Sequence, residues 1–191
     1  DRDGWDLFVA SSINDSGQIC GHARRDGDFA AYRFAPDEIN PLKIFVLPNP
    51  SWGERINESG DVVFAETLAS DWNCYVYSTA SDSTTLVGEG LYPIGVSDRF
   101  SVGGQEYMYI LAKSKANSPR TYHRLTIHAA TGDVVDSELL PIIADAMNKG
   151  GVVSGYALNR KGWQVVARYS DQLEVLKNGR KDLQGRGVRI N

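Results

Sequence analysis

The side chains with the clearest chemical potential in this chain are aromatic and acidic rather than nucleophilic. Trp52 and Tyr92 each stand four residues before a recurring apolar–Asn or apolar–Ser pair, and Trp5 occupies the corresponding lead-in of the first such pair. Rings at the entrance of a repeat fold can stack on sugars, because their apolar faces are large and their polar tips stay hydrogen-bonded. Asp1, Asp3 and Asp6 place carboxylates at a spacing like that of a calcium loop. The bidentate Glu that completes an EF-hand is missing, and chain termini are commonly loose. Asn14, Asn57 and Asn148, with Asp15, Glu58, Ser97, Asp98 and Lys149 beside or equivalent to them, recur at matching corners. A ring would gather them on one rim where a ligand could sit, although turn chemistry alone accounts for their types.

Catalytic chemistry has little support. His22, His123 and His128 form no HxH or HExxH pattern, and the last two, five apart, point to opposite faces of a strand. No Gly-x-Ser-x-Gly elbow occurs, and the glycines at 103–104 and 185–187 precede no helix that would cradle a phosphate. Acids such as Glu66 and Asp71 are too generic to define a glycosidase pair. Cys20 and Cys74 have no metal-ligand spacing. They lie in apolar runs that favour buried free thiols, with a disulfide between them as the alternative. No catalytic residue and no cofactor is expected.

The elements that must position these residues come from an internal repeat. Five short anchors recur, Ile13-Asn14, Ile56-Asn57, Val96-Ser97, Met147-Asn148 and Ile190-Asn191, at spacings of 40 to 51 residues. Four residues beyond the anchor's apolar member stand Gly17, Gly60 and Gly151. Six beyond stand Ile19, Val62, Val102 and Val153, and eight beyond stand Gly21, Gly104 and Gly155, with Phe64 as the exception. Sixteen beyond come Phe29, Trp72 and Trp163, which read as packing residues, and nineteen beyond come Tyr32, Tyr75 and Val166. Unit three leaves the register after its second strand, and residues 113–120 read as an inserted hairpin loop.

Ile13-Asn14-Asp15-Ser16-Gly17-Gln18 is a hairpin turn in which Asn bonds the local backbone and Gly adopts positive φ. Past each turn, β-branched and glycine-rich runs predict second strands at 18–23, 61–66 and 151–157. Third strands are expected at 29–34, 73–78, 121–128 and 163–169, and fourth strands at 43–47, 84–87, 133–138 and 172–176. The one helix-like stretch, 138–148, contains Pro141 and an anchor strand, so it too reads as β. Four antiparallel strands per unit predict an all-β fold: a β-propeller of four-stranded antiparallel blades, four repeats plus one extra strand at 188–190. Stacked blades bury faces and protect edges that one sheet would leave bare. The units run about 5–50, 51–91, 92–142 and 143–185, with 186–191 starting a fifth unit or closing the ring. The glycines at the eighth position are expected where neighbouring sheets approach closely.

Composition narrows the function classes. The chain has 191 residues and a formal net charge of −4. Its one basic cluster, Lys177, Arg180, Lys181, Arg186 and Arg189, is interrupted by Asp182 and reads as a solvated tail, so no nucleic-acid partner is expected. No apolar run approaches the ~20 residues of a membrane span, so no membrane insertion is expected. The chain opens Asp1-Arg2-Asp3-Gly4 without an initiator Met or signal peptide, as a processed or excised chain would.

The run from Ala10 to Ala23, followed by Phe29-Ala30-Ala31-Tyr32-Arg33-Phe34, resembles the HAF-type probable extracellular repeat of bacterial surface and secreted proteins. Units one and four match well, unit two fairly and unit three poorly; the terminal His-Ala-Phe signature is replaced by Phe-Ala-Ala-Tyr and Trp-Gln-Val-Val. The resemblance implies a propeller-like fold at an extracellular or cell-surface location and no catalytic residue. The expected function is a non-catalytic binding or scaffolding module with a protein or glycan ligand on one rim, able to form oligomers through its terminal blades. The alternatives are a propeller enzyme acting on polysaccharide and a structural segment of a longer surface protein.

Overall fold

Short runs of β-branched and small residues, punctuated by Asn-x-x-Gly turns, have no way to satisfy their backbone except by pairing with the next run. The computed structural model, which describes residues 4–114, 120–158 and 164–175, is accordingly all strand where it is regular. Blade 1 comprises β1 (Asp6–Ile13), β2 (Ile19–Arg25), β3 (Asp28–Phe34) and β4 (Leu42–Phe45). Blade 2 comprises β5 (Ser51–Ile56), β6 (Val62–Thr67), β7 (Trp72–Ser78) and β8 (Ser83–Glu89). Blade 3 contains β9 (Leu91–Val96), β10 (Phe100–Val102), β11 (Gln105–Ser114), β12 (Tyr122–His128) and β13 (Val134–Leu139). Blade 4 contains β14 (Ile143–Met147), β15 (Val153–Leu158), β16 (Gln164–Tyr169) and β17 (Leu173–Val175). Every pairing is antiparallel between sequence neighbours, save that β9 and β10 both pair with β11. These are the blades of a β-propeller, and the anchor strands β1, β5, β9 and β14 are the innermost strand of each, adjacent in that order.

The core lies between blades, as it must when each sheet has two apolar faces. Cys20, Ala31 and Phe45 of blade 1 meet Ile56, Val62, Phe64 and Tyr77 of blade 2, with the Phe45 and Phe64 rings stacked at 5.0 Å. The opposite face of blade 2, with Val63, Cys74 and Val76, meets Val96, Met108, Ile110 and Ile127 of blade 3. Leu111, Tyr122 and Leu140 of blade 3 meet Val153, Ala157 and Ala167 of blade 4. Burying one such side chain contributes about 1.5–3 kcal/mol, so a blade with two packed faces is held far better than one with a bare face. A fourth cluster, Trp5, Ala23, Ala30 and Tyr32, covers the outward face of blade 1. No cluster among the described residues joins blade 4 back to blade 1, and Leu7, Phe8 and Ile13 on β1 are exposed.

The repeated turns lace the blades together. Asn14, Asn57 and Asn148 each accept a backbone bond within their own turn through Oδ1, from Gln18, Asp61 and Val152 at 2.9–3.0 Å. In blades 1 and 2 its Nδ2 also donates to the equivalent carbonyl of the next blade: Asn14 to Asn57 O at 2.8 Å and Asn57 to Ser97 O at 3.0 Å. A parallel row runs outside it: Asp15 N donates to the Glu58 carboxylate, Glu58 N to Asp98 Oδ1, and Asp98 N to Lys149 O. Beneath Asn57 the fully buried Asp61 carboxylate is bonded by Asn57 Nδ2, Thr79 and the Arg99 guanidinium.

Two expectations are corrected and a third holds in part. In unit three, Val102 and Gly104 do not belong to the second strand. Phe100–Val102 folds back on β11 through Gly103 and Gly104, both at positive φ, and the residue that pairs with Val96 is Ile110. A glycine next to a β-branched residue suits any hairpin, so this extra one matched the pattern. In unit four, Leu158 pairs with Gln164, whereas Arg24 pairs with Phe29 and Thr67 with Trp72. The register of β16 is therefore shifted by one residue: Gly21 pairs with Tyr32 and Phe64 with Tyr75, but Gly155 pairs with Ala167, so the counterpart of the two tyrosines is Ala167, not Val166. The glycines at the eighth position answer to their own sheet: a Cβ on Gly21 would lie 1.9 Å from Val9 O, and one on Gly155 2.1 Å from Ile143 O. Between sheets the expected close approach holds at Gly21, whose carbonyl oxygen would lie 2.3 Å from a Cβ on Gly53 of blade 2.

Cys20 and Cys74 are free and buried; burial pushes the Cys20 thiol up to about 12 and raises Cys74 further. Asp1, Asp3, Trp163, the strand expected at 188–190 and the basic cluster from Lys177 to Arg189 lie outside the described residues, as does most of the loop at 113–120.

Candidate functional site: an aromatic cleft at a repeated bulge

Each inner strand carries a β-bulge at the same place. The pairing skips Ser11 between Ala10–Gly21 and Ser12–Cys20, Glu54 between Gly53–Phe64 and Arg55–Val63, Ile94 between Pro93–Ala112 and Gly95–Leu111, and Asp145 between Ala144–Gly155 and Ala146–Ser154. All four stand two residues before the anchor. A bulge adds one residue to one strand and re-aims its side chain, which is why bulges gather near functional sites. Here the bulge position varies from hydroxyl to carboxylate to alkyl while its surroundings repeat.

At the Glu54 bulge a cleft of about 330 Å³ opens, lined by Ser11, His22, Trp52, Glu54, Thr67, Trp72 and Tyr92. Three blades build it. Trp52 stands on β5, stacked on Phe29 at 4.9 Å and edge-on to His22 at 4.6 Å, with its Nε1 donating to Thr67 Oγ1 at 2.8 Å. Trp72, at the start of β7, contacts Tyr92 of β9 at 4.3 Å between centroids. The Tyr92 hydroxyl donates to Glu54 Oε1, while Lys113 Nζ lies 4.9 Å from the Tyr92 ring centroid.

Electrostatics follow from that enclosure. Burial raises the Glu54 carboxyl above the ordinary Glu range, opposed by the Tyr92 hydrogen bond and by the charges of Arg55 and Lys113. Burial, with the Glu54 carboxylate beside it, raises the Tyr92 phenol too. Burial lowers His22, keeping the imidazole neutral near pH 7, and its Nδ1 is buried without a hydrogen-bond partner among the described residues. The cleft thus combines aromatic walls with one carboxylate and the hydroxyls of Ser11, Thr67 and Tyr92. A second cavity, of about 460 Å³, lies where the anchor ends of all four blades meet, lined by Ser12, Arg55, Glu58, Asp98, Met147 and Lys149 among others.

Of the residues singled out in the sequence, the structure brings Trp52 and Tyr92 into one cleft. Trp5 is elsewhere, buried on the outward face of blade 1 beneath the Arg25 guanidinium. Asn14 and Asn57 are buried, their amides committed to the next blade; Asn148 is half-buried in its own turn. Asp6 is exposed at the start of β1. Among the described residues no group of three or more His, Cys, Asp or Glu could hold a metal ion; Asp1 and Asp3 lie outside them. Sequence reasoning missed Glu54, and it read Trp72 as packing alone. The available signal was the position two before each anchor, where Ser11, Glu54, Ile94 and Asp145 differ most in chemistry.

No family model matches the sequence, and no curated protein matches it. Among the solved structures the chain resembles is TolB from Acinetobacter baumannii, at 13% identity with a TM-score of 0.47, over 87% of this chain and 41% of that one. This chain therefore spans less than half the length of that structure.

Proposed function

We propose that this chain is a non-catalytic binding module whose ligand is a glycan seated in the aromatic cleft. The observation that carries the reading is the meeting of Trp52, Trp72 and Tyr92, from two blades, around the hydrogen-bonded Glu54. The rings supply apolar faces for pyranose C–H groups; Glu54, Ser11 and Thr67 supply the few oriented polar partners that such sites use. The HAF-like repeat supports a secreted or cell-surface setting. The exposed Leu7, Phe8 and Ile13 of blade 1 and Ile143, Leu173 and Val175 of blade 4 support assembly through terminal blades.

A polysaccharide-cleaving enzyme is the second reading, favoured by the raised carboxyl of Glu54. Glycoside hydrolysis needs two carboxyl groups roughly 5–9.5 Å apart across the bond. Asp145, the other carboxyl that burial raises among the described residues, shares the bulge position but does not line this cleft. A glycan array, followed by tryptophan-fluorescence titration of each hit, separates the readings. Binding is expected without cleavage, with affinity reduced at least about tenfold by Trp72→Ala. Shortened products would instead indicate the enzyme. Absence of any glycan hit, with concentration-dependent assembly in light scattering, would favour a structural segment.

A further inference from the structure

Resting on that glycan reading, we infer that the cleft selects a sugar bearing a free ammonium group, an amino sugar, over its neutral counterparts. Glu54 is the one carboxylate in the cleft's lining, which contains no Lys or Arg. Its Oε1 accepts from Tyr92, while Oε2 has no hydrogen-bond partner among the described residues, leaving one carboxylate oxygen for a charged donor. Charge-assisted hydrogen bonds of this kind are shorter and stronger than neutral ones. The rings around it act in the same sense, because the faces of Trp and Tyr attract cations through their quadrupoles. The Tyr92 ring already holds one, the Lys113 ammonium.

The cations nearest Glu54 do not occupy the place such a ligand would take. Arg55 lines the second cavity, at the anchor ends of the blades, and donates to the Glu54 backbone carbonyl at 2.7 Å, and Lys113 is absent from the cleft's lining. His22, held neutral by burial, adds no opposing charge near pH 7. The position is also particular to blade 2: the equivalent bulges offer Ser11, Ile94 and Asp145, and of these only Ser11 reaches the cleft.

The test is tryptophan-fluorescence titration of the full chain near neutral pH with glucosamine, N-acetylglucosamine and glucose, repeated on Glu54→Gln. Wild type is expected to bind glucosamine at least about tenfold more tightly than N-acetylglucosamine, the lower end of what a charged hydrogen bond contributes. In the variant the ratio is expected to fall to near one. Equal affinities in wild type, or a preference that survives Glu54→Gln, would overturn charge selection while leaving glycan binding intact. Failure of all three sugars, and of every array glycan, would sink the binding reading itself. Nα-acetyl-lysine methylamide binding more tightly than glucosamine would overturn the sugar assignment in favour of a lysine side chain. The wild-type comparisons stand even if the variant folds poorly.

Discussion

Replacing Asn57 by Ala removes the side chain that joins blade 2 to blade 3 at the turn. Asn57 is 4% exposed, and its amide makes three bonds: Nδ2 to Ser97 O and to Asp61 Oδ2, and Oδ1 from Asp61 N. The substitution strands two backbone groups, the Ser97 carbonyl and the Asp61 amide, in residues 1% and 0% exposed. The Asp61 carboxylate keeps Arg99 and Thr79. Each buried group left unpaired costs about 1–3 kcal/mol, so the loss should be about 3–4 kcal/mol. With a urea slope of roughly 2 kcal/mol/M, the unfolding midpoint should drop by about 1.5–2 M, read by tryptophan fluorescence. Asn148→Ala is the internal comparison. Its Oδ1 accepts only from Gly150 and Val152 in a partly solvated turn, where water replaces the lost bonds. It should cost about 1 kcal/mol. If Asn57→Ala loses no more than Asn148→Ala, the lacing between blades contributes nothing beyond turn chemistry and the reasoning fails.

Two further outcomes test other parts of the fold. Gly21→Ala places a Cβ 1.9 Å from Val9 O, against backbone that cannot swing aside, so it should lower stability by more than about 3 kcal/mol in a thermal melt followed by circular dichroism; Gly17→Ser, at an open turn position, should cost much less. Glu54, faced by Tyr92, Arg55 and Lys113 and raised by burial, should titrate above the ordinary Glu range in carbon-13 NMR. Because the folded value is the higher one, its contribution to stability is fully present below the ordinary Glu pKa and is lost as pH rises through the raised one. Glu54→Gln should therefore gain stability on wild type across that window and stay level with it in stronger acid; urea midpoints that move in parallel at every pH would contradict the burial.

Much of this protein is local, and what is local could be read along the chain. The Asn-x-x-Gly turns and the strands that follow them depend on φ preferences and alternation within a few residues. Those forces act before any two distant residues meet, so the blade rhythm and the absence of helix at 138–148 follow from sequence order. Tertiary structure decided everything that depends on which strand faces which. Val102 has the same neighbours as a true second-strand residue, yet only pairing could reveal that Val96 belongs with Ile110. Asn14 and Asn57 read as turn residues, and their second role exists because the next blade brings a carbonyl, 43 or 40 residues away in sequence, within 3.0 Å. The cleft is of the same kind: the bulge at Glu54 is a mismatch of counts between two strands, visible in neither alone. Trp52, Trp72 and Tyr92 become a site only because stacked blades bury their shared faces and bring their edges to one mouth.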